Sequence, residues 1–446
     1  MNKEIFKQSR QVLALIVSNR LIHNFSKEFK GHLIIRPCFK SIIPLESDDS
    51  KKIILLNEKI SNDTEIPDNL QSFIKSNEIE VVKKTIDLDY KNFTYEQVLK
   101  TVLPENITIP HAFERIGHIA HLNLRDEQLP YKHLIGQAIL DKNLQVKTVL
   151  NKVGKIDTVF RTFQIEVLAG EDNLVTEVKE NECLFKFNFS EVYWNSRLQY
   201  EHFNLIDTFK SSDTICDMFA GVGPFACPAV KLKKCTFYAN DLNPNSVKYM
   251  KENANNNKID TTRLFMFNLD AREFVRDLLY PKEKSKKPVP FNHVIMNLPS
   301  TSIEFLDVFR DIFLDPNQNP PIPPPMIHCY TFTKNTEDGD LVESTRKNVE
   351  KVLNYKIPDD FTCFEVRDVS PNKRMMRISF VMPNILPYIG EEIVRVEVVD
   401  PKKNIKKSSP ASIATTTTPS DSSTSKRTSS PTSNESETIK KAKHES

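Results

Sequence analysis

Glycine is scarce in this chain, with nine in 446 residues. That excludes glycine-rich repeats and marks any close glycine pair as a place where the backbone needs it. Tryptophan occurs once and cysteine seven times. No two cysteines stand at C-x-x-C spacing, so neither a zinc ribbon nor a dithiol redox site is spelled out, and reduced thiols are the plain reading. No apolar run approaches the length of a membrane span. A net charge of +2 offers no global basic field, so any nucleic acid must be met by local patches. What is present, 39% hydrophobic and 27% charged residues, is an ordinary globular composition, long enough for two or three domains.

Two of those glycines, Gly221 and Gly223, stand one residue apart in D-M-F-A-G-V-G-P-F-A, residues 217–226. The preceding Thr214, Ile215 and Cys216 suit a short buried strand. The pair then allows a tight turn with positive φ, and Pro224 is placed to open a helix. Strand, glycine turn and helix start make a nucleotide-binding corner. The stretch also fits the loose dinucleotide pattern G-x-G-x-x-A, a weak match by itself. Pro224 removes a donor that a pyrophosphate would need, and Asp217 would repel a diphosphate while attracting an ammonium group. S-adenosylmethionine has that ammonium and no phosphate. The plainer account is a turn that merely links strand to helix.

In chain order, residues 1–100 alternate apolar runs with a helical stretch at 69–76 and read as a small α+β unit suited to docking RNA. Segment 5–27 holds Lys7, Arg10, Arg20 and Lys27 without an acid, the pattern of an organelle presequence. Flanking Glu4 and Glu28 and sparse serine favour a folded helix instead. Residues 101–189 form a middle α+β unit. Within it His118 and His121 have metal-like spacing but no accompanying ligands, so no metal site is expected. Helix is expected at 131–141 and strands across 159–189. From 190 to 400 strand and helix alternate, the signature of a doubly wound, Rossmann-like α/β domain that an antiparallel pair closes. Inserts at 282–290 and 315–325 read as exposed loops, and 401–446, rich in Ser, Thr, Pro and Lys, as a disordered tail.

Acids at successive strand ends sharpen the cofactor reading. Asp241 falls one β-α unit after Asp217, where a carboxylate can accept both ribose hydroxyls. Asp270, one unit later, can accept from an adenine amino group, and the backbone N–H groups of Leu242 and Ala271 can meet the purine. Helix capping explains any one acid alone, less easily the set. After the fourth strand, Asn297-Leu298-Pro299-Ser300 lacks the aromatic residue with which amino-group methyltransferases stack their base. A ring nitrogen is therefore the expected target. Just before the glycine corner, residues 191–202 read E-V-Y-W-N-S-R-L-Q-Y-E-H. Tyr193, Trp194 and Tyr200 offer stacking surface, Arg197 a phosphate contact and Glu201 a carboxylate. A ring nitrogen that keeps its proton at neutral pH, as guanine N1 does, needs such a base. An amphipathic helix with solvated charges accounts for the stretch equally well.

D-M-F-A-G-V-G-P-F, Y-W-N-S-R-L-x-x-E-H, N-D-L-N-P, N-L-P, R-I-G-H-I-A-H-L-N-L-R and V-S-P-N-K together resemble the eukaryotic and archaeal tRNA (guanine-37-N1)-methyltransferases. The likeness spans about residues 100–385. It implies an N-terminal tRNA-docking domain, a middle domain and a class I methyltransferase domain that uses S-adenosylmethionine. By position, Glu201 would be the general base and Arg161 the residue that stabilises O6. Asn297 would contact guanine and cofactor. His202 would lie by the methionine end of the cofactor, where archaeal relatives carry Arg. The resemblance further implies tRNA as partner, a monomer without a membrane anchor, and a distribution over cytoplasm, mitochondrial matrix and nucleus. Two rivals stay open: transfer of the aminocarboxypropyl group of the same cofactor, and a tRNA-binding protein with a dead pocket.

Overall fold

The computed structural model describes residues 1–382 except 111, 155–159, 163, 284, 311–321 and 335–339. The expected tail and most of the second insert lie outside the described residues. The described part of the first insert is exposed at most positions.

The chain opens with an antiparallel sheet of β1 (Gln8–Ser18), β2 (Ile42–Pro44), β3 (Lys51–Leu55) and β4 (Glu80–Leu88), ordered β2-β3-β1-β4. Here one expectation is corrected: the centre of segment 5–27, Gln8–Ser18, is a strand, and helix α1 covers only Ile22–Glu28. Alternate residues of β1 enter two different cores. Leu13, Leu15 and Val17 pack with Phe25 and Phe29 and with Leu70 and Ile74 of α2 (Asp68–Ser76). Val12 and Ala14 pack with Val98 and Leu99 of α3 (Tyr95–Val102). A strand buried on both faces shows an unbroken apolar run, which periodicity alone cannot tell from helix.

Next come β5 (Glu114–Ile116), β6 (Ile119–Leu122), α4 (Lys132–Lys142), β7 (Thr148–Val153) and β8 (Gln164–Gly170), a sheet ordered β5-β6-β7-β8. An antiparallel ribbon, β9 (Val175–Glu180) with β10 (Cys183–Asn188), follows. Its Phe185 and Phe187 join the same core as Trp194 and the strands beyond.

Helix α5 (Gln199–Asp207) leads into β11 (Thr214–Asp217), α6 (Ala226–Pro228), β12 (Thr236–Asn240), α7 (Pro244–Asn256), β13 (Leu264–Phe267), α8 (Ala271–Leu279) and β14 (His293–Met296). β15 (Met326–Lys334), α9 (Leu341–Leu353), β16 (Thr362–Ser370) and β17 (Lys373–Val381) complete it. The seven strands run β13-β12-β11-β14-β15-β17-β16, parallel except for β17, which is antiparallel to both β15 and β16. Neighbouring side chains on one strand serve opposite layers: Ile215 enters one core and Cys216 the other. Strand order reverses between β11 and β14, so a crevice opens at their carboxyl ends.

Candidate active site

β11 ends at Asp217, and the turn that follows carries Gly221 at φ 54° and Gly223 at φ 93°. The two glycines differ in purpose. A Cβ on Gly223 would come within 3.1 Å of Cys227 Sγ and Met250 Cγ, so that glycine lets the loop pack on α7. A Cβ on Gly221 would meet nothing within 4 Å, so that face of the loop is open to a ligand. The helix expected from Pro224 starts later and is short: α6 begins at Ala226 and passes into a π turn at Ala229–Lys233. Pro228 has no N–H to give to the Pro224 carbonyl, which removes an early helical bond.

The three strand-end acids have separate surroundings. Asp241 Oδ2 accepts from the Gly221 N–H at 2.8 Å, and Oδ1 from the Asn243 N–H at 2.9 Å. Enclosure raises its carboxyl above the ordinary range. Asp270 caps α8, its Oδ1 accepting from the Arg272 and Glu273 N–H groups at 2.9 and 3.3 Å. Capping therefore describes part of Asp270's role, and its second oxygen takes no part in it. Asp217 is fully buried beneath the loop. Its Oδ1 accepts from the Phe219 N–H at 3.1 Å and its Oδ2 has no partner. Burial, with Asp241 nearby, pushes its carboxyl up to about 8. Asp217 thus lies outside the lining of the cleft described next.

The cleft above this loop has a volume of about 470 Å³. Gly221, Asp241, Leu242, Asp270 and Ala271 line one part of it, and Asn297 and Pro299 the end of β14. Tyr193, His202 and Arg161 line another part. Arg161, half-buried and in the left-handed region at φ 58°, donates to Ser300 Oγ and, at 3.4 Å, to Thr301 Oγ1. A guanidinium from the middle unit thereby reaches the turn where an aromatic residue was missing.

Glu201 is not in the lining. It is 6% exposed, and its Oε1 accepts from the Tyr330 hydroxyl and the Arg377 guanidinium, each at 2.7 Å. Burial raises its carboxyl, while Arg377 and Tyr330 pull in the opposite direction. Helix geometry explains the placement, since consecutive residues point about 100° apart and His202 takes the cleft side. His202 instead meets Glu180, with Nδ1 2.5 Å from Oε1. Gly223 and Arg197 also stay outside the lining; the Arg197 side chain is 61% exposed, 3.8 Å from Glu114. Tyr200 is exposed and Trp194 touches the cleft but belongs to the core, stacked on Phe187 at 4.9 Å. His118 bonds the Asn173 carbonyl and His121 faces Glu114. Among the described residues no group of His, Cys, Asp and Glu could hold a metal ion.

Sequence reasoning missed Asn240, Tyr330, Arg377 and Glu180. Asn240 had a signal, a polar residue closing the apolar strand F-Y-A-N. The others meet their partners only across the fold.

Asp217 yields a test. Its carboxyl titrates near 3.8 when unfolded and near 8 when folded, so folding holds a proton between those values. The stability this lends is full below the lower value and is lost as pH rises through about 8. Melting temperatures of wild type are expected to fall more steeply from pH 5 to 8.5 than those of Asp217→Asn, which stays neutral throughout. Parallel profiles would contradict the buried neutral carboxyl.

Comparison with known proteins now adds to this geometry. Residues 176–356 match the model of the TRM5/TYW2 methyltransferase domain, and 95–173 that of the TYW2 N-terminal domain. A protein of Dictyostelium discoideum named tRNA (guanine(37)-N(1))-methyltransferase is 62% identical over 390 residues, 87% of this chain and 83% of its own length. A protein of the same name from Heterostelium pallidum is 57% identical, over 86% of this chain and 88% of its own. The solved complex of aTrm5 and tRNALeu shares the fold, with a TM-score of 0.61 at 23% identity, covering 83% of this chain and 100% of that one. This chain belongs to the tRNA (guanine(37)-N(1))-methyltransferase family.

Proposed function

We propose that this chain methylates N1 of guanosine 37 of tRNA, 3′ to the anticodon, with S-adenosylmethionine as donor. The observation that carries the reading is a single cleft lined by Asp241, Asp270, Asn297 and Arg161, in a chain 62% identical to a protein named for this reaction. The residues fit the cofactor: the open face of Gly221 leaves room for it, and the two lining acids keep acceptor capacity. When bound, S-adenosylmethionine would supply an electrophilic methyl group for transfer from sulfur to nitrogen.

The residues divide the remaining work. With the cofactor bound, Asp241 would accept from the ribose, and Asp270, with the N–H groups of Leu242 and Ala271, would meet the adenine. Asp217 underlies the loop. Arg161 stabilises the charge that moves to O6 when the N1 proton leaves. Asn297 contacts base and cofactor, and Tyr193 stacks on the base. Arg197 is exposed enough to meet a tRNA phosphate. Glu201, outside the cleft lining, is the base that the family resemblance implies, and burial raises its carboxyl, which strengthens it as a proton acceptor once the guanine reaches it. Both of its hydrogen bonds fall on Oε1, which leaves Oε2 to take the proton.

The rival reaction, transfer of the aminocarboxypropyl group, would leave a different product. Product mass separates the two. The chain is proposed to work as a monomer, as the family resemblance implies. Among the described residues no helix is long and apolar enough to cross a membrane. A distribution over cytoplasm, mitochondrial matrix and nucleus is proposed from the family resemblance, and a fluorescent fusion tests it.

Incubation with an unmodified tRNA bearing G37 and S-adenosylmethionine is expected to yield 1-methylguanosine by nucleoside mass spectrometry, and an A37 transcript no product. An aminocarboxypropyl adduct would overturn the assignment. Arg161→Ala should lower the single-turnover rate by about 10²–10³, the range for losing one oxyanion donor. An unchanged rate with saturating tRNA and cofactor would remove Arg161 from the mechanism. Glu201→Gln keeps an acceptor for Tyr330 but not the base, and is expected to cost about 10²–10⁴ in the chemical step. If its rate instead matches wild type at every pH, the base lies elsewhere.

A further inference from the structure

Glu180 closes strand β9, outside the cleft, and is 1% exposed. Its Oε1 lies 2.5 Å from Nδ1 of His202, itself 4% exposed and part of the cleft lining. A carboxylate taken that far out of water needs a hydrogen-bond donor, and a cation suits it best. Donation from Nδ1 to Glu180 leaves Nε2 as the ring's remaining polar atom. Phe225 of the glycine loop packs edge-on to the ring at 4.6 Å, which further restricts it. The other charged or titratable groups around the pair are accounted for. Glu201, next on α5, is engaged by Arg377 from β17 and Tyr330 from β15. The Cys183 thiol of β10 is buried close to Glu180.

No step of the methyl transfer uses Glu180. The cofactor, however, ends in an amino acid whose carboxylate needs a donor. The lining acids Asp241 and Asp270 would repel it. Arg161 is assigned to O6 of the base, and Arg367 stands 3.5 Å from Asn195. His202 is left. We propose that Glu180 is a positioning residue: hydrogen-bonded to Nδ1 of His202, it holds that imidazole with Nε2 toward the carboxylate of the cofactor's methionine end. Glu180 does not touch the cofactor and acts only through His202. The inference rests on S-adenosylmethionine as cofactor and is independent of which base is methylated.

Calorimetric titration without tRNA tests it, with three ligands: S-adenosylmethionine, its decarboxylated form, and 5′-methylthioadenosine, which lacks the whole amino-acid end. Wild type should bind S-adenosylmethionine about tenfold tighter than the decarboxylated form, as one charge-assisted hydrogen bond allows. In Glu180→Gln that gap should close to within about twofold, with methylthioadenosine bound as in wild type. His202→Gln, which retains a donor but no charge, should lose the same gap. A wild-type gap in either variant overturns the proposal. So does an equal weakening of methylthioadenosine in Glu180→Gln, which would make Glu180 a brace of the fold. If the tRNA product proved to be other than 1-methylguanosine, these affinities would still stand.

Discussion

The hydrogen bond from the Gly221 N–H to the Asp241 carboxylate ties the glycine loop to the end of the neighbouring strand. Beside it, Asn240 donates to the Met218 and Leu269 carbonyls and accepts from the Leu269 N–H. Three strand ends are thereby fastened at one level: the residues after β11, at the end of β12 and after β13. Asn240 is fully buried, so its bonds replace water that cannot enter. The cleft floor depends on this fastening. Were the loop free to shift against Asp241, the open face at Gly221 and the acceptors at Asp241 and Asp270 would lose their common spacing.

Helix α5 forms a second constraint. Two adjacent residues on it, Glu201 and His202, are each buried and each paired with an opposite charge or its equivalent, but on different elements. Glu201 engages β15 and β17 of the sheet, and His202 the β9–β10 ribbon. Buried polar pairs of this kind add little net stability once desolvation is counted, because each partner has left water. Their effect is orientation. A helix carrying two such pairs cannot rotate without stranding one of them.

Arg161 extends the same logic to the middle unit. Its guanidinium crosses to the turn after β14 and holds Ser300 and Thr301. The cleft therefore draws on the middle unit, on the segment before β11 and on the ends of the parallel strands. Only the last of these belongs to the nucleotide-binding corner itself.

By itself the sequence determined whatever local chemistry dictates. Gly221 and Gly223 one residue apart, acids at Asp217, Asp241 and Asp270, and the alternation of strand and helix all express short-range geometry, and they place the cofactor corner. Helix caps and strand ends follow from the same few neighbouring residues. Tertiary structure decided which of those side chains face the cleft. Adjacent Glu201 and His202 look equivalent in a string, and helical phase sends one behind the wall. Asp217 reads as a ligand contact, and packing of the loop covers it. Segment 8–18 reads as a helix because both of its faces are buried, which only the two cores show. The partners of Glu201 lie 129 and 176 residues away, and that of His202 lies on a different ribbon, 22 residues back. Contacts across such separations follow from how the layers pack, because burial of apolar area, and not the local code, chooses which elements meet.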